Sequence, residues 1–150
     1  MAELKRQLYE HCMEIVAATI ANARQAIEAI RADMAGETKS SAGDKYETAR
    51  EMLQQDVNQY LSMISVAQEQ QSVLARIKTD LITEIIIPGS LVHTNAGSYY
   101  IAISGGKISM EGKEFRLISA VSPIGVLLMG KKPGDTLALN GKTIQIDSIL

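Results

Sequence analysis

Two carboxylates three residues apart, Asp44 and Glu47, stand in the run Ser40–Glu51, Ser-Ser-Ala-Gly-Asp-Lys-Tyr-Glu-Thr-Ala-Arg-Glu. Mg²⁺ takes few protein carboxylates and fills its shell with water and phosphate oxygens, so an acidic pair carried to a phosphodiester could help hold a metal and its water. The same spacing also reads as a capping box. Asp44 would accept from the backbone N–H of Glu47 while Glu47 reaches back, contributing about 0.5–2 kcal/mol. Acidic groups also complement the positive end of a helix. The two uses compete, because a carboxylate spent on backbone donors is less free for a cation. Lys39, Lys45 and Arg50 surround the pair. Arg50, three residues after Glu47, either makes a weak exposed ion pair or, with the two lysines, meets phosphate or acidic groups of a partner.

Other constellations lead nowhere chemically. Gly125-Val-Leu-Leu-Met-Gly-Lys131-Lys132 approaches the phosphate-loop pattern, but Lys132 replaces the Ser/Thr, the four intervening residues are apolar, and Pro133-Gly134 precludes a following helix. His11 and Cys12 are adjacent on a helical stretch and point apart, and His93 stands alone in a strand and turn context, so no metal set and no nucleophile–base–acid arrangement is expected.

The elements that must position Asp44 and Glu47 are two helices. Leu4, Leu8, Cys12, Val16, Ile20, Ala23, Ile27, Ile30 and Met34 recur every three or four residues, and Gly36 is a natural stop. The pattern resumes at Tyr46, Ala49, Leu53, Val57, Tyr60, Ile64, Ala67, Leu74, Ile77 and Leu81. Neither stripe can be buried alone, so the spacing predicts an antiparallel coiled-coil hairpin over residues 1–84 with its tip near 36–44. Some 34 helical residues would make an arm about 50 Å long.

After Pro88-Gly89-Ser90 the pattern changes. Ser98–Ile103, Phe115–Val121, Thr136–Leu139 and Thr143–Ile149 read as strands, with Asn140-Gly141 a type I′ hairpin signal. Ser122-Pro123 opens a short apolar helix, Ile124–Met129, closed by Gly130. Residues 85–150 are therefore expected to form a small antiparallel β-sheet domain with one helix, making the chain α+β.

Net charge is −2 over 150 residues, too small to drive nonspecific nucleic-acid binding. Residues 1–84 hold nine Lys/Arg against thirteen Asp/Glu, a net −4, and residues 85–150 hold six against four, a net +2. A free nucleic-acid binder would show a basic arm instead. The single cysteine precludes an intrachain disulfide, the first residues read as helix rather than signal peptide, and no stretch of roughly 20 apolar residues is present. A cytoplasmic protein without membrane association is expected.

The run Ser122-Pro-Ile-Gly-Val-Leu-Leu-Met-Gly-Lys-Lys-Pro-Gly-Asp135, continuing through Gly141-Lys-Thr-Ile-Gln-Ile-Asp-Ser-Ile-Leu150, resembles the closing segment of the bacterial Gre family of transcript cleavage factors. Gly43-Asp44, Tyr46, Ala49-Arg50-Glu51 and Gln54-Gln55 look like compressed pieces of that family's tip and second-helix motif. The resemblance implies an FKBP-like C-terminal domain docking at the rim of the RNA polymerase secondary channel, and a coiled-coil tip entering it. In cleavage-competent members two tip carboxylates help hold a second Mg²⁺ at the polymerase active site. By the same resemblance, Asp44 and Glu47 are the catalytic and metal candidates, for Mg²⁺ shared within the polymerase only. Lys39, Lys45, Arg50, Ser122, Pro123, Lys131 and Lys132 are the partner-binding candidates.

This sequence departs from the family where the acidic pair falls, seven and four residues before the tyrosine: those positions are Lys39 and Ala42. The resemblance implies no enzyme by itself, no cofactor of its own, RNA polymerase as partner with indirect contact to nascent RNA, and a monomer when bound. A secondary-channel regulator without cleavage, and a coiled-coil interaction or dimerisation module unrelated to polymerase, remain alternatives. The aromatic complement of the β domain, Tyr99, Tyr100 and Phe115, is thin for a prolyl-isomerase pocket.

Overall fold

A computed structural model describes residues 2–37 and 43–150, with side chains described for 3–36 and 47–150. Two long helices, α1 (Ala2–Glu37) and α2 (Gly43–Ala75), pack as a hairpin. They precede a six-stranded, mostly antiparallel sheet with one short helix. The chain divides into two compact units, Ile15–Gln71 and Met1–Glu14 with Ser72–Leu150.

In the unit Ile15–Gln71 the apolar stripes meet as their spacing requires. Ala23 and Ile27 of α1 pack with Val57 and Ile64 of α2, flanked by Ile30 and Tyr60. Val16, Ile20 and Ala67 are buried as well. The recurrence of buried positions at three and four residues gives each helix one seam and leaves the remaining faces exposed.

Helix α2 ends at Ala75, short of the Ile77 and Leu81 that its periodicity suggested. The last turn tightens: Arg76 N donates to Val73 O and Ile77 N to Leu74 O, three residues back instead of four. Ile77 is nevertheless buried, because its Cγ2 sits where a Cβ on Gly89 would be, 2.7 Å away. Gly89 also has φ +95, so only glycine suits that position. The stripe was therefore correct about burial and wrong about helix. Leu81, at 45% exposure, is not part of the seam.

The strands are β1 (Leu91–Thr94), β2 (Gly97–Ala102), β3 (Gly106–Met110), β4 (Lys113–Ser119), β5 (Thr136–Leu139) and β6 (Lys142–Ile149), with α3 (Pro123–Leu128) between β4 and β5. Their order is β3-β4-β2-β1-β6-β5. Strands β2 and β4 run parallel, with Ser98 opposite Phe115 and Ala102 opposite Ser119, where a purely antiparallel sheet was expected. The cause is β3, which pairs antiparallel with β4 at the sheet edge and so turns β4 to lie along β2.

Residue patterns alone mark neither β3 nor β1 as a strand. Gly105-Gly106 reads as a turn and Leu91–Thr94 is four residues long. Tertiary partners on both sides, β2 and β6, hold β1 in place. Ile86, Val92, Tyr99, Ile101, Leu128, Leu137, Ile144 and Ile146 form this unit's core. Asn140 (φ 52) and Gly141 (φ 77) make the tight turn between Leu139 and Lys142, as their types dictate.

Candidate functional site

Candidate residues occupy two places, one in each unit. In the helical unit, α2 begins at Gly43, so the backbone of Asp44 lies inside the first turn and not before it. Lys39 and the side chains of Asp44 and Lys45 lie outside the described residues. Glu47 and Arg50 are exposed on the following turn.

Between α1 and α2, near the turn, is a groove of about 530 Å³ lined by Ala32, Asp33, Gly36, Ala49, Met52, Leu53 and Asp56. On α2 the positions 49, 52, 53 and 56 are the i, i+3, i+4, i+7 face, which explains why one side of the helix supplies them all. Small residues, Ala32 and Gly36 on α1 and Ala49 on α2, open the groove. Met52 is 62% exposed. Asp33 and Asp56 were not among the candidates, because acidic residues on outward helical positions look alike in a sequence. Only the pairing of the helices brings these two to one groove.

In the β unit, Ser122 caps α3 (φ −69, ψ 160), its Oγ accepting from Gly125 N at 3.1 Å and donating to Ser119 O at 2.7 Å. Pro123 occupies the first helical position, where a missing N–H costs nothing. Position 125 is buried and holds glycine because a Cβ there would collide with Ser119 O. Leu128 is fully buried and Val126 is 62% exposed, so α3 shows one apolar face to the core and another to solvent.

Gly130 (φ +80) ends the helix, and its N–H donates to Ile86 O at 2.9 Å while Lys131 O accepts from Ile86 N at 2.8 Å. Asp135 Oδ2 then accepts from Lys132 N at 3.0 Å. Ser122, Pro123, Gly125, Gly130 and Asp135 thus each have a task in shaping one turn-helix-turn. Lys131 is half-buried and Lys132 exposed, and their backbone groups help build the turn. A phosphate loop is incompatible with this geometry, since Gly125 is packed against backbone and the intervening residues form α3.

Titratable groups elsewhere are tuned by burial. Cys12 is buried and its thiol is pushed up to about 11, so it is protonated at neutral pH and a poor nucleophile. His93 contacts Ser98 Oγ at 2.7 Å and lies below the usual imidazole range, from burial first and Lys113 second, opposed by Asp147. Lys5, an unforeseen buried lysine, donates to Leu81 O at 2.9 Å, and its pKa is lowered by burial despite Asp80. Tyr99, Tyr100 and Phe115 are all buried. Among the described residues no three His, Cys, Asp or Glu gather into a metal-binding set. No helix among them is long and apolar enough to cross a membrane. Neither a protein-family model nor a curated protein matches the chain.

Proposed function

We propose that the protein is a Gre-like transcription elongation factor of the cytoplasm. It would bind RNA polymerase with its hairpin tip in the secondary channel and its β unit, FKBP-like in kind, at the channel rim. One observation supports this above the others. The same chain couples a helical hairpin, with acidic residues where α2 begins, to a run resembling the Gre closing segment in which Ser122, Pro123, Gly125, Gly130 and Asp135 shape one turn-helix-turn.

In this reading Asp44 and Glu47 supply oxygen ligands to a Mg²⁺ that the polymerase also holds, and polymerase performs the phosphodiester chemistry. The factor has no cofactor of its own and is no nuclease alone. Lys39, Lys45 and Arg50 would meet phosphate or acidic side chains around the tip. Ser122, Pro123, Lys131 and Lys132 would serve at the rim.

The test is transcript cleavage in backtracked complexes with the cognate polymerase. Asp44→Ala with Glu47→Ala should abolish stimulated cleavage and leave binding intact. Unchanged stimulation removes the metal role. A second reading, a secondary-channel regulator without cleavage, is favoured by Lys39 and Ala42 standing where the family's acidic pair falls. It is recognised by binding without any stimulation in the unsubstituted protein. Failure to recover polymerase subunits from lysate at low salt would instead favour a coiled-coil interaction module.

A further inference from the structure

The groove of about 530 Å³ between α1 and α2 combines apolar surface with negative charge. Met52 is 62% exposed and Leu53 half-buried, while the small residues Ala32, Gly36 and Ala49 keep the space in front of them open. A Cβ at Gly36 would meet nothing within 4 Å, so that end of the groove has no filling among the described residues. The charged residues of the lining are Asp33 on α1 and Asp56 on α2, both exposed. Among the described residues neither carboxylate takes part in an ion pair or a side-chain hydrogen bond. No basic residue shares the lining with them.

We infer that this groove receives a basic, amphipathic polypeptide segment, with an apolar side chain on Met52 and Leu53 and flanking lysine or arginine reaching Asp33 and Asp56. Charge complementarity selects the occupant. Residues 24–56 carry five Lys/Arg against seven Asp/Glu, and the groove itself carries only negative groups. A lysine or arginine lays its aliphatic stem along apolar surface and delivers its charge to a carboxylate at the edge. A phosphate-bearing ligand would bring like charge to both aspartates, and a purely apolar segment would strip water from them without replacing it. The flexible thioether of an exposed methionine suits contact with a partner's apolar side chain.

Positions 49–56 of α2 span about 10 Å, or two turns of a bound helix, room for one apolar anchor and its flanking cations. A contact of that size belongs with weak, reversible interfaces. The inference is independent of the polymerase reading, since it concerns the flank of the hairpin and is measured without polymerase.

The test is fluorescence anisotropy of the full chain with a labelled peptide of leucine and lysine at helical spacing, about 14 residues or four turns long. The unsubstituted chain binds it, and the same peptide with glutamate in place of lysine does not bind. Asp33→Asn combined with Asp56→Asn weakens binding by about fivefold, the effect of two partly exposed ion pairs. Glu28→Gln combined with Glu51→Gln removes the same charge from the same helices outside the groove and leaves affinity within about twofold. Met52→Ser weakens binding by about tenfold. All five positions are exposed, and circular dichroism verifies equal helicity. Independently of any variant, isotope-labelled methionine methyls in the unsubstituted chain report the place: Met52 shifts on adding peptide and Met63, on the same helix, does not. Absence of binding into the high-micromolar range, an equal loss in the Asn and Gln pairs, a shift at Met63 in place of Met52, or tighter binding of a labelled oligouridine than of the peptide overturns the inference.

Discussion

Gly125→Ala should destabilise the β unit although alanine is the better helix former. A Cβ at this position would lie 2.0 Å from Ser119 O, 2.9 Å from Ser122 Oγ and 3.0 Å from the carbonyl carbon of Ala120. Carbon and oxygen approach comfortably only to about 3.3 Å, so α3 or the Ser119 carbonyl must move by more than about 1 Å. That carbonyl is not free to move. It accepts from Ser122 N at 3.1 Å and from Ser122 Oγ at 2.7 Å, and Ser122 in turn caps α3.

Overpacking costs about 1–3 kcal/mol and a lost cap about 0.5–2, against a gain of about 1 kcal/mol in helix propensity, leaving a net loss centred near 2 kcal/mol. For a chain of this size that corresponds to a melting temperature about 4–8 °C lower. Urea unfolding followed by near-ultraviolet circular dichroism reports the packing of the buried Tyr99 and Tyr100, and hence this unit's own transition. Val126→Ala, on the exposed side of the same helix, is the control and should remain within about 0.5 kcal/mol of the unsubstituted protein. A Gly125→Ala variant as stable as the control would refute the close approach of α3 to Ser119 and the reason given for glycine in this run.

Three further outcomes follow from buried polar groups. Tyr100 is fully buried and its hydroxyl has no hydrogen-bond partner among the described residues, so Tyr100→Phe should match or exceed the unsubstituted protein in stability, by up to about 1–3 kcal/mol; a marked loss would show that the hydroxyl is paired. His93, with its folded pKa below the ordinary value near 6.5, favours the neutral ring. Its contribution is present above that value and is lost as pH falls through 6.5 toward the folded pKa. His93→Gln should therefore flatten the stability profile as pH falls through and below about 6.5, and an unchanged slope would count against it. Cys12, buried with its thiol pushed up to about 11, should react with iodoacetamide at pH 8 far more slowly in the native protein than in urea. Equal rates would mean the helix end is open.

Wherever a physical rule acts within one turn of chain, the structure could be read from residue types. Ser122-Pro123 had to open a helix because a hydroxyl acceptor and a residue without N–H answer the needs of a first turn. Asn140-Gly141 had to turn because both central positions require positive φ. The α1 stripe from Leu8 to Ile27 is buried at the positions its spacing marks, since a continuous seam has one solution on a 3.6-residue helix.

Rules that act across the chain were not legible. The end of α2 was missed because Ile77 keeps the seam's chemistry while the backbone has already left the helix to cover Gly89. Strand β3, and with it the parallel pairing of β2 and β4, depends on which edges are free when the sheet assembles. Lys5 is buried only because Leu81 O lies within reach. Asp33 and Asp56 share a groove only once α1 and α2 are paired.

By itself, then, the amino-acid order determined where chain segments must be helical, capped or sharply turned, because those needs are met by neighbours within about four residues. Tertiary structure alone decided which distant segments meet, which strand borders which, and which carboxylates share a groove. Those outcomes depend on the closure of long loops and on competition for the same apolar surface, and no residue's own chemistry encodes them.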